Sequence, residues 1–154
     1  MVVDLLTILS GHGGGIVDDL KRSIAPYSAT NDTVNSLRFS VTREGTIDRL
    51  QIFGREYIMA METGRKATPQ YTKPSFNFVD RIRRYLAAKG EETSLAYAIA
   101  KSIHAKGTKG HPGVISNVIN DTLIDNISKD ILQQFAKQYL FNVVEFYNRG
   151  NKLN

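Results

Sequence analysis

Residues 57–69 read YIMAMETGRKATP, and this stretch raises the question of whether Glu62 opens a catalytic loop or closes a strand. Its side chains fit the alternation of a strand, in which successive residues point to opposite faces of a sheet. We therefore predict a strand over residues 56–62. Gly64 then allows a turn that a β-carbon would hinder, and the two cations after it project from the end of the sheet. The segment is predicted to make contacts and not to catalyse a reaction.

Two earlier segments show the same period of two. Leu37, Phe39 and Val41 alternate with polar residues, and Ile47–Phe53 resumes the pattern after a turn at residues 43–46. Such alternation across a short turn is typical of a hairpin. Together with residues 56–62, these segments predict a small antiparallel sheet.

Glycines divide the segment before the sheet. Residues 2–9 are apolar and fit either a helix or a buried strand. The run GHGGG at 11–15 predicts an interruption of regular structure or a flexible joint. Apolar residues four apart then predict a short amphipathic helix over 16–25, which Pro26 closes.

The second half of the chain has the period of helices. Ser75 is predicted to cap a helix that ends at Gly90, and Thr93 or Ser94 to cap a second helix that stops at Gly107. A long final helix is predicted over about 114–148. Its apolar stripe contains Ile124, Ile127, Ile131, Phe135, Tyr139 and Phe146.

The predicted fold class is α+β: a small antiparallel β-sheet packed against helices, with a long C-terminal helix. A chain of 154 residues with 42% hydrophobic residues is long enough for one domain, residues 1–154, with its own core. No run of eighteen apolar residues is present, so the sequence predicts no membrane span. The absence of cysteine excludes disulfides and thiolate chemistry and fits an intracellular folding environment.

Positive charge is concentrated in the middle of the chain. Residues 65–111 carry ten Lys or Arg against three Asp or Glu, whereas the whole chain has a net charge of +5. The predicted basic face consists of Arg81, Arg83, Arg84, Lys89, Lys101, Lys106 and Lys109. Such a face suits an anionic partner, and the alternative is an ordinary solvated helical surface.

No catalytic, cofactor or metal site is predicted. The spacing of GHGGG matches neither the dinucleotide fingerprint nor the phosphate loop. His104 and His111 lie seven residues apart with no nearby carboxylate, unlike the local ligand pairs of a zinc site. The adjacent acids at 18–19 and 91–92 point away from each other on a helix, so they form no carboxylate dyad.

Three segments carry a resemblance to a known family. Residues 33–40 (TVNSLRFS) are similar to a T-G-x-L-x-x-S segment, and residues 57–65 (YIMAMETGR) to a Y-A-x-x-V-E-x-G-T-G-R strand pattern. Residues 111–115 (HPGVI) match a proline-bearing loop that enters the last helix. In this order the segments resemble the tail-completion, or head–tail connector, proteins of tailed bacteriophages. The resemblance covers mainly 16–67 and 107–148.

The sequence departs from the family pattern at three places. Val34 replaces a glycine, and one glycine is missing between Glu62 and Thr63. The helical pair over about 73–106 is an insertion relative to the pattern.

The resemblance implies a structural virion protein of the phage neck or tail, made in the host cytoplasm, and not an enzyme. Its copies would form a ring of about six or twelve, joining portal or adaptor proteins to the tail tube. The loops at 26–33, 63–74 and 107–113 would contact other subunits or partners. The residues expected there are Glu62, Thr63, Gly64, Arg65, Lys66, His111 and Pro112.

The basic face has two expected roles. In a ring it would face passing DNA, without reading its sequence, or an acidic neighbouring ring. The alternative function is that of a small basic nucleic-acid-binding protein, which the unequal charge distribution also fits.

Overall fold

The computed structural model describes residues 4–28, 31–68 and 73–150. Within these ranges the chain forms six α-helices and one two-stranded antiparallel hairpin, so the predicted α+β class is confirmed. The helices are α1 (Leu5–Ile24), α2 (Asp32–Ser36), α3 (Tyr57–Thr63), α4 (Phe76–Lys89), α5 (Ala96–Lys106) and α6 (Asp121–Gly150). The strands are β1 (Arg38–Glu44) and β2 (Ile47–Phe53). None of the described helices is long and apolar enough to cross a membrane.

The chain divides into two compact units. Unit 1 comprises Met1–Val17, Phe39–Ile52 and Ile119–Asn154, and unit 2 comprises Asp18–Arg38 and Phe53–Val118. Unit 1 thus contains most of the hairpin and α6, while unit 2 contains α2 to α5. Helix α1 begins in one unit and ends in the other.

The predicted interruption at GHGGG is wrong, because α1 runs through it without a break. Gly13 is buried, and a β-carbon there would lie 2.5 Å from the Phe39 ring and 2.8 Å from a methyl group of Leu50. Glycine therefore lets the hairpin approach the helix backbone closely. The helical cost of glycine is offset by this packing and by the buried Leu9 and Ile16 of the same helix.

A side-chain contact joins α1 to α6 within unit 1. His12 Nε2 lies 3.0 Å from a carboxylate oxygen of Asp130. The same histidine stands inside the glycine run, so the helical course of that run positions it.

The predicted third strand is also wrong, because residues 57–63 form helix α3 and the sheet has two strands. Ile58 and Met61, three residues apart, are the buried positions of α3. Five consecutive apolar residues satisfy the strand period and the helix period equally, so the pattern alone could not decide. The buried Thr33 hydroxyl lies 2.7 Å from the Tyr57 hydroxyl at the start of α3.

Helix α4 has the predicted ends. Ser75 accepts a hydrogen bond from the Phe78 N–H, and Gly90 ends the helix in the left-handed conformation. The predicted stop of the next helix at Gly107 is confirmed, although α5 itself begins at Ala96. A core between α4 and α5 contains Val79, Leu86, Ala96 and Ala100, with Phe78, Ile82 and Ile99 packed against it.

The last helix begins later than predicted. Residues 112–118 form turns, and α6 starts at Asp121. The Asn120 side chain accepts a hydrogen bond from the Leu123 N–H at 3.0 Å, which satisfies one free donor of the first turn.

We expect the glycines of α1 to respond in opposite ways to alanine. Gly11→Ala should raise the free energy of unfolding by up to about 1 kcal/mol, because nothing lies near its β-carbon and alanine is the better helix former. Gly13→Ala should lower that energy by about 1–3 kcal/mol relative to Gly11→Ala, because Phe39 and Leu50 must shift. Urea unfolding followed by circular dichroism measures both variants. Equal stabilisation by the two would contradict the close packing at Gly13.

Candidate functional site

The carboxylate of Glu62, at the end of α3, is bound by the turns that precede α6. It accepts hydrogen bonds from the Gly113 N–H at 3.0 Å, the Ile115 N–H at 2.7 Å and the Ser116 hydroxyl at 2.6 Å. The Ser116 hydroxyl first, and then these N–H groups, lower the pKa of Glu62 from 4.5 to about 2. Glu62 is therefore a charged structural ligand for a segment distant in sequence.

The two segments predicted as contact loops lie against each other. Arg65 and Thr108 form an antiparallel bridge, with N···O distances of 3.1 and 2.8 Å. On either side of it the Thr68 N–H donates to the His104 carbonyl, and the His111 N–H donates to the Met61 carbonyl. We call residues 61–68 and 104–116 together the double loop.

Three glycines of the double loop permit this close backbone approach. A β-carbon on Gly64 would collide with the Thr108 carbonyl oxygen, one on Gly107 with the Arg65 carbonyl oxygen, and one on Gly110 with the Glu62 carbonyl oxygen. Gly64 and Gly107 also have positive φ angles of 79° and 74°. Gly64, Gly107 and Gly110 therefore all allow the two segments of the double loop to pack closely.

Two residues of the double loop contact aromatic side chains outside it. The Arg65 guanidinium lies 4.3 Å from the centroid of the Phe78 ring of α4, a cation–π distance. The His111 and Tyr27 rings stack with their centroids 4.3 Å apart. Pro112 is exposed.

The predicted contact residues are thus brought together, although not all of them face outward. Lys66 and Thr63 are exposed, whereas Glu62 faces the turns that it binds, and the Thr63 hydroxyl donates to the Met59 carbonyl of its own helix. Residues 29–30 and 69–72, which belong to the predicted contact loops, lie outside the described residues.

The predicted basic residues differ in their pairing. Arg83 and Arg84 both form ion pairs with Asp80, at 3.5 and 2.9 Å. The other five are exposed and have no ion-pair partner in the described part of the chain. They are Arg81 and Lys89 of α4, Lys101 and Lys106 of α5, and Lys109 of the double loop.

Helix α6 exposes a large apolar surface that the sequence interpretation missed. Ten large apolar side chains of α6 are between 46 and 82% exposed. They are Ile124, Leu132, Phe135, Tyr139, Leu140, Phe141, Val143, Val144, Phe146 and Tyr147. The available signal was the run YLFNVVEFY at 139–147, in which seven of nine residues are apolar or aromatic and cannot share one face of a helix.

No group of three or more His, Asp or Glu that could hold a metal ion occurs among residues 4–28, 31–68 and 73–150. In comparisons with known proteins, no protein family, curated protein or solved structure matches the chain.

Replacing Glu62 should loosen the double loop. We expect Glu62→Gln to lower the free energy of unfolding by about 1–3 kcal/mol. The uncharged amide of glutamine has one acceptor oxygen, whereas the carboxylate of Glu62 accepts hydrogen bonds from three donors with two charged oxygens. Glu91→Gln, which makes the same charge change at an exposed position of unit 2, should have little effect. Chemical unfolding at neutral pH measures both.

The effect of Glu62→Gln should depend on pH. Folding depresses the pKa of Glu62, so the stabilisation is fully present above its unfolded value of 4.5 and is lost as the pH falls through about 2. The stability difference between wild type and Glu62→Gln should therefore shrink between these values. A difference that stays constant from pH 7 to pH 2 would contradict the assignment.

Two glycines with positive φ angles should differ in their tolerance of alanine. Gly90→Ala should cost about 1–2 kcal/mol, because its backbone is left-handed helical (φ 73°, ψ 18°) and no atom lies near a β-carbon. Gly64→Ala should cost clearly more, because its backbone (φ 79°, ψ 178°) lies in a region almost restricted to glycine and its β-carbon would meet the Thr108 carbonyl oxygen. Thermal unfolding measures both costs, and equal losses in the two variants would contradict the close packing at Gly64.

Proposed function

We propose that this protein is a structural component whose copies assemble into a closed ring, at the neck or tail top of a tailed phage. The observation that carries the proposal is the exposed apolar surface of α6. Five of its ten exposed apolar residues are aromatic, and each aromatic side chain can bury about 150–250 Å². At the observed exposures the ten residues together offer on the order of 1,000 Å², spread over more than one side of the helix. A stable interface buries roughly 800 Å² per partner, so α6 supplies part of each proposed contact.

The exposed side chains of α6 lie on more than one side of the helix. Leu132, Tyr139 and Phe146 are spaced by seven residues and share one side. Phe141, two residues after Tyr139, lies about 200° around the helix and is also exposed. A single partner helix covers one side, so burial of both sides requires two neighbours.

Two different contact sides favour a ring of copies. When two copies bury the same face on each subunit, neither copy has that face left for a third copy, and assembly stops at a dimer. Contacts between two different faces repeat from copy to copy and close into a ring when the rotation allows it. The two apolar sides of α6 fit this second arrangement.

The double loop supports the placement of such a ring in a virion. Residues 61–65 and 111–115, which belong to the segments that carry the resemblance to tail-completion proteins, pack together in it, although residues 57–63 form a helix and not the strand of that pattern. Its backbone is held by hydrogen bonds and glycine contacts, while Lys66, Lys109 and Pro112 remain exposed. A stiff exposed element of this kind can contact a component of the virion outside the ring.

Native mass spectrometry at low and at physiological salt tests self-assembly. We expect a discrete closed oligomer for the wild type and its loss in Phe146→Glu, because a carboxylate would have to be buried in the interface. The matched control is Phe76→Glu: Phe76 is 77% exposed on α4, close to the 82% of Phe146. The control should retain the wild-type oligomer, and circular dichroism should show both variants folded.

Three outcomes of this experiment would contradict parts of the proposal. A strict monomer at both salt concentrations would overturn autonomous ring formation. A dimer as the largest species would overturn the argument from two sides of α6. An oligomer that survives Phe146→Glu would place the interface elsewhere.

The placement in the virion has a separate test. In a tailed phage that encodes this chain, deletion of its gene should give filled heads and tails that do not join, as seen by electron microscopy. Complete, infectious particles from the deletion strain would overturn the neck assignment and leave self-assembly untouched.

A further inference from the structure

We propose that the double loop is a binding surface for the phosphate backbone of nucleic acid, which it contacts without reading sequence. This inference goes beyond ring assembly and does not require it. The first observation is the unequal charge of the two units. Unit 2 carries fourteen Lys or Arg against eight Asp or Glu, whereas unit 1 carries six against seven. The positive field of the protein therefore belongs to unit 2.

Within unit 2 the double loop concentrates cations and leaves no free acid. It contains Arg65, Lys66, Lys106 and Lys109, and Glu62 is its one carboxylate. Three donors of residues 113–116 already occupy that carboxylate. These hydrogen bonds hold Glu62 against residues 113–116, the double loop keeps a net positive charge, and its exposed lysines have no ion-pair partner in the described residues.

The backbone of the double loop holds these cations near one another. The Arg65–Thr108 bridge places the two segments side by side, at the spacing of about 5 Å between paired strands. Lys66 and Lys109 lie next to the bridged residues, one on each segment. Because Gly64, Gly107 and Gly110 permit close contact, the positions of the lysine backbones are set before any ligand binds.

The type of cation suits a ligand whose negative charge repeats without a fixed geometry. Arginine is suited to planar, bidentate recognition of carboxylates and phosphates, whereas lysine provides a compact point charge. The arginines here are partly engaged: Arg65 on the Phe78 ring, and Arg83 and Arg84 with Asp80. The unpaired cations of the double loop are lysines. Point charges without a fixed hydrogen-bond geometry suit a backbone that repeats the same charge along its length.

Salt-dependent DNA binding tests the proposal. Fluorescence anisotropy of a labelled duplex of random sequence is measured with the full chain between about 50 and 200 mM salt. Each lysine that contacts a phosphate contributes about one to the slope of log K against log salt concentration. The double variant Lys66→Gln, Lys109→Gln should therefore reduce the magnitude of the slope by about 2 for each subunit that contacts the duplex, with a similar loss for duplexes of different sequence.

The matched control removes the same charge from unit 1. Lys129→Gln, Lys137→Gln in α6 should leave the slope unchanged, and native mass spectrometry confirms that both variants keep the oligomeric state of the wild type. Equal slopes for the two double variants would overturn the assignment, since binding would then reflect net charge alone. Tighter binding to poly-glutamate than to DNA at equal salt would also overturn it, in favour of an acidic protein partner. Native mass spectrometry gives the number of subunits independently, so a monomeric protein that shows a slope change of about 2 would reject the ring and retain this surface.

Discussion

Three hydrogen-bond donors converge on the carboxylate of Glu62, and the arrangement of unit 2 depends on that convergence. The donors lie 51 to 54 residues further along the chain, so a single side chain joins the end of α3 to the turns before α6. A free carboxylate would compete for the lysines beside it. Bound by N–H and hydroxyl groups, the Glu62 carboxylate stays ionised, with its pKa lowered to about 2, and forms no ion pair with the neighbouring lysines.

The second constraint is that other parts of the chain approach the backbone too closely for a β-carbon, and glycine satisfies it in both units. In the double loop, Gly64 and Gly107 face carbonyl oxygens of the opposite segment. In α1, Gly13 faces the side chains of the hairpin. Glycine thus allows a contact between two loop segments in unit 2 and a contact between a helix and a hairpin in unit 1. Gly11 and Gly15, with open space around them, have no such role in the described structure.

The two units present different chemistry to partners. Unit 1 is near neutral and exposes the apolar residues of α6, a surface suited to burial against other copies. Unit 2 is strongly basic and exposes lysines on a stiff backbone, a surface suited to an anion. The proposed ring and the proposed phosphate contact therefore use separate residues, and a substitution can remove one without the other.

Features that depend on neighbouring residues along the chain could be predicted from the sequence. The β1–β2 hairpin follows from strict alternation around a turn, and the limits of α4 follow from Ser75 and Gly90, whose local backbone preferences act wherever they occur. The sequence also singled out residues 62–66 and 111–112, which lie together in the double loop, and it showed the concentration of basic charge.

The remaining features could not be predicted from local patterns, because they depend on contacts between residues that are distant in sequence. GHGGG is helical because Phe39 and Leu50 pack where a β-carbon would stand. YIMAM is helical because burial selects Ile58 and Met61 from a run that satisfies either period. The hydrogen-bond donors to Glu62 come from residues 113–116. Helix α6 exposes aromatic residues because it has more apolar residues than one face of a helix can bury. A periodic pattern states which residues can be buried together, whereas the atoms that bury them come from elsewhere in the fold.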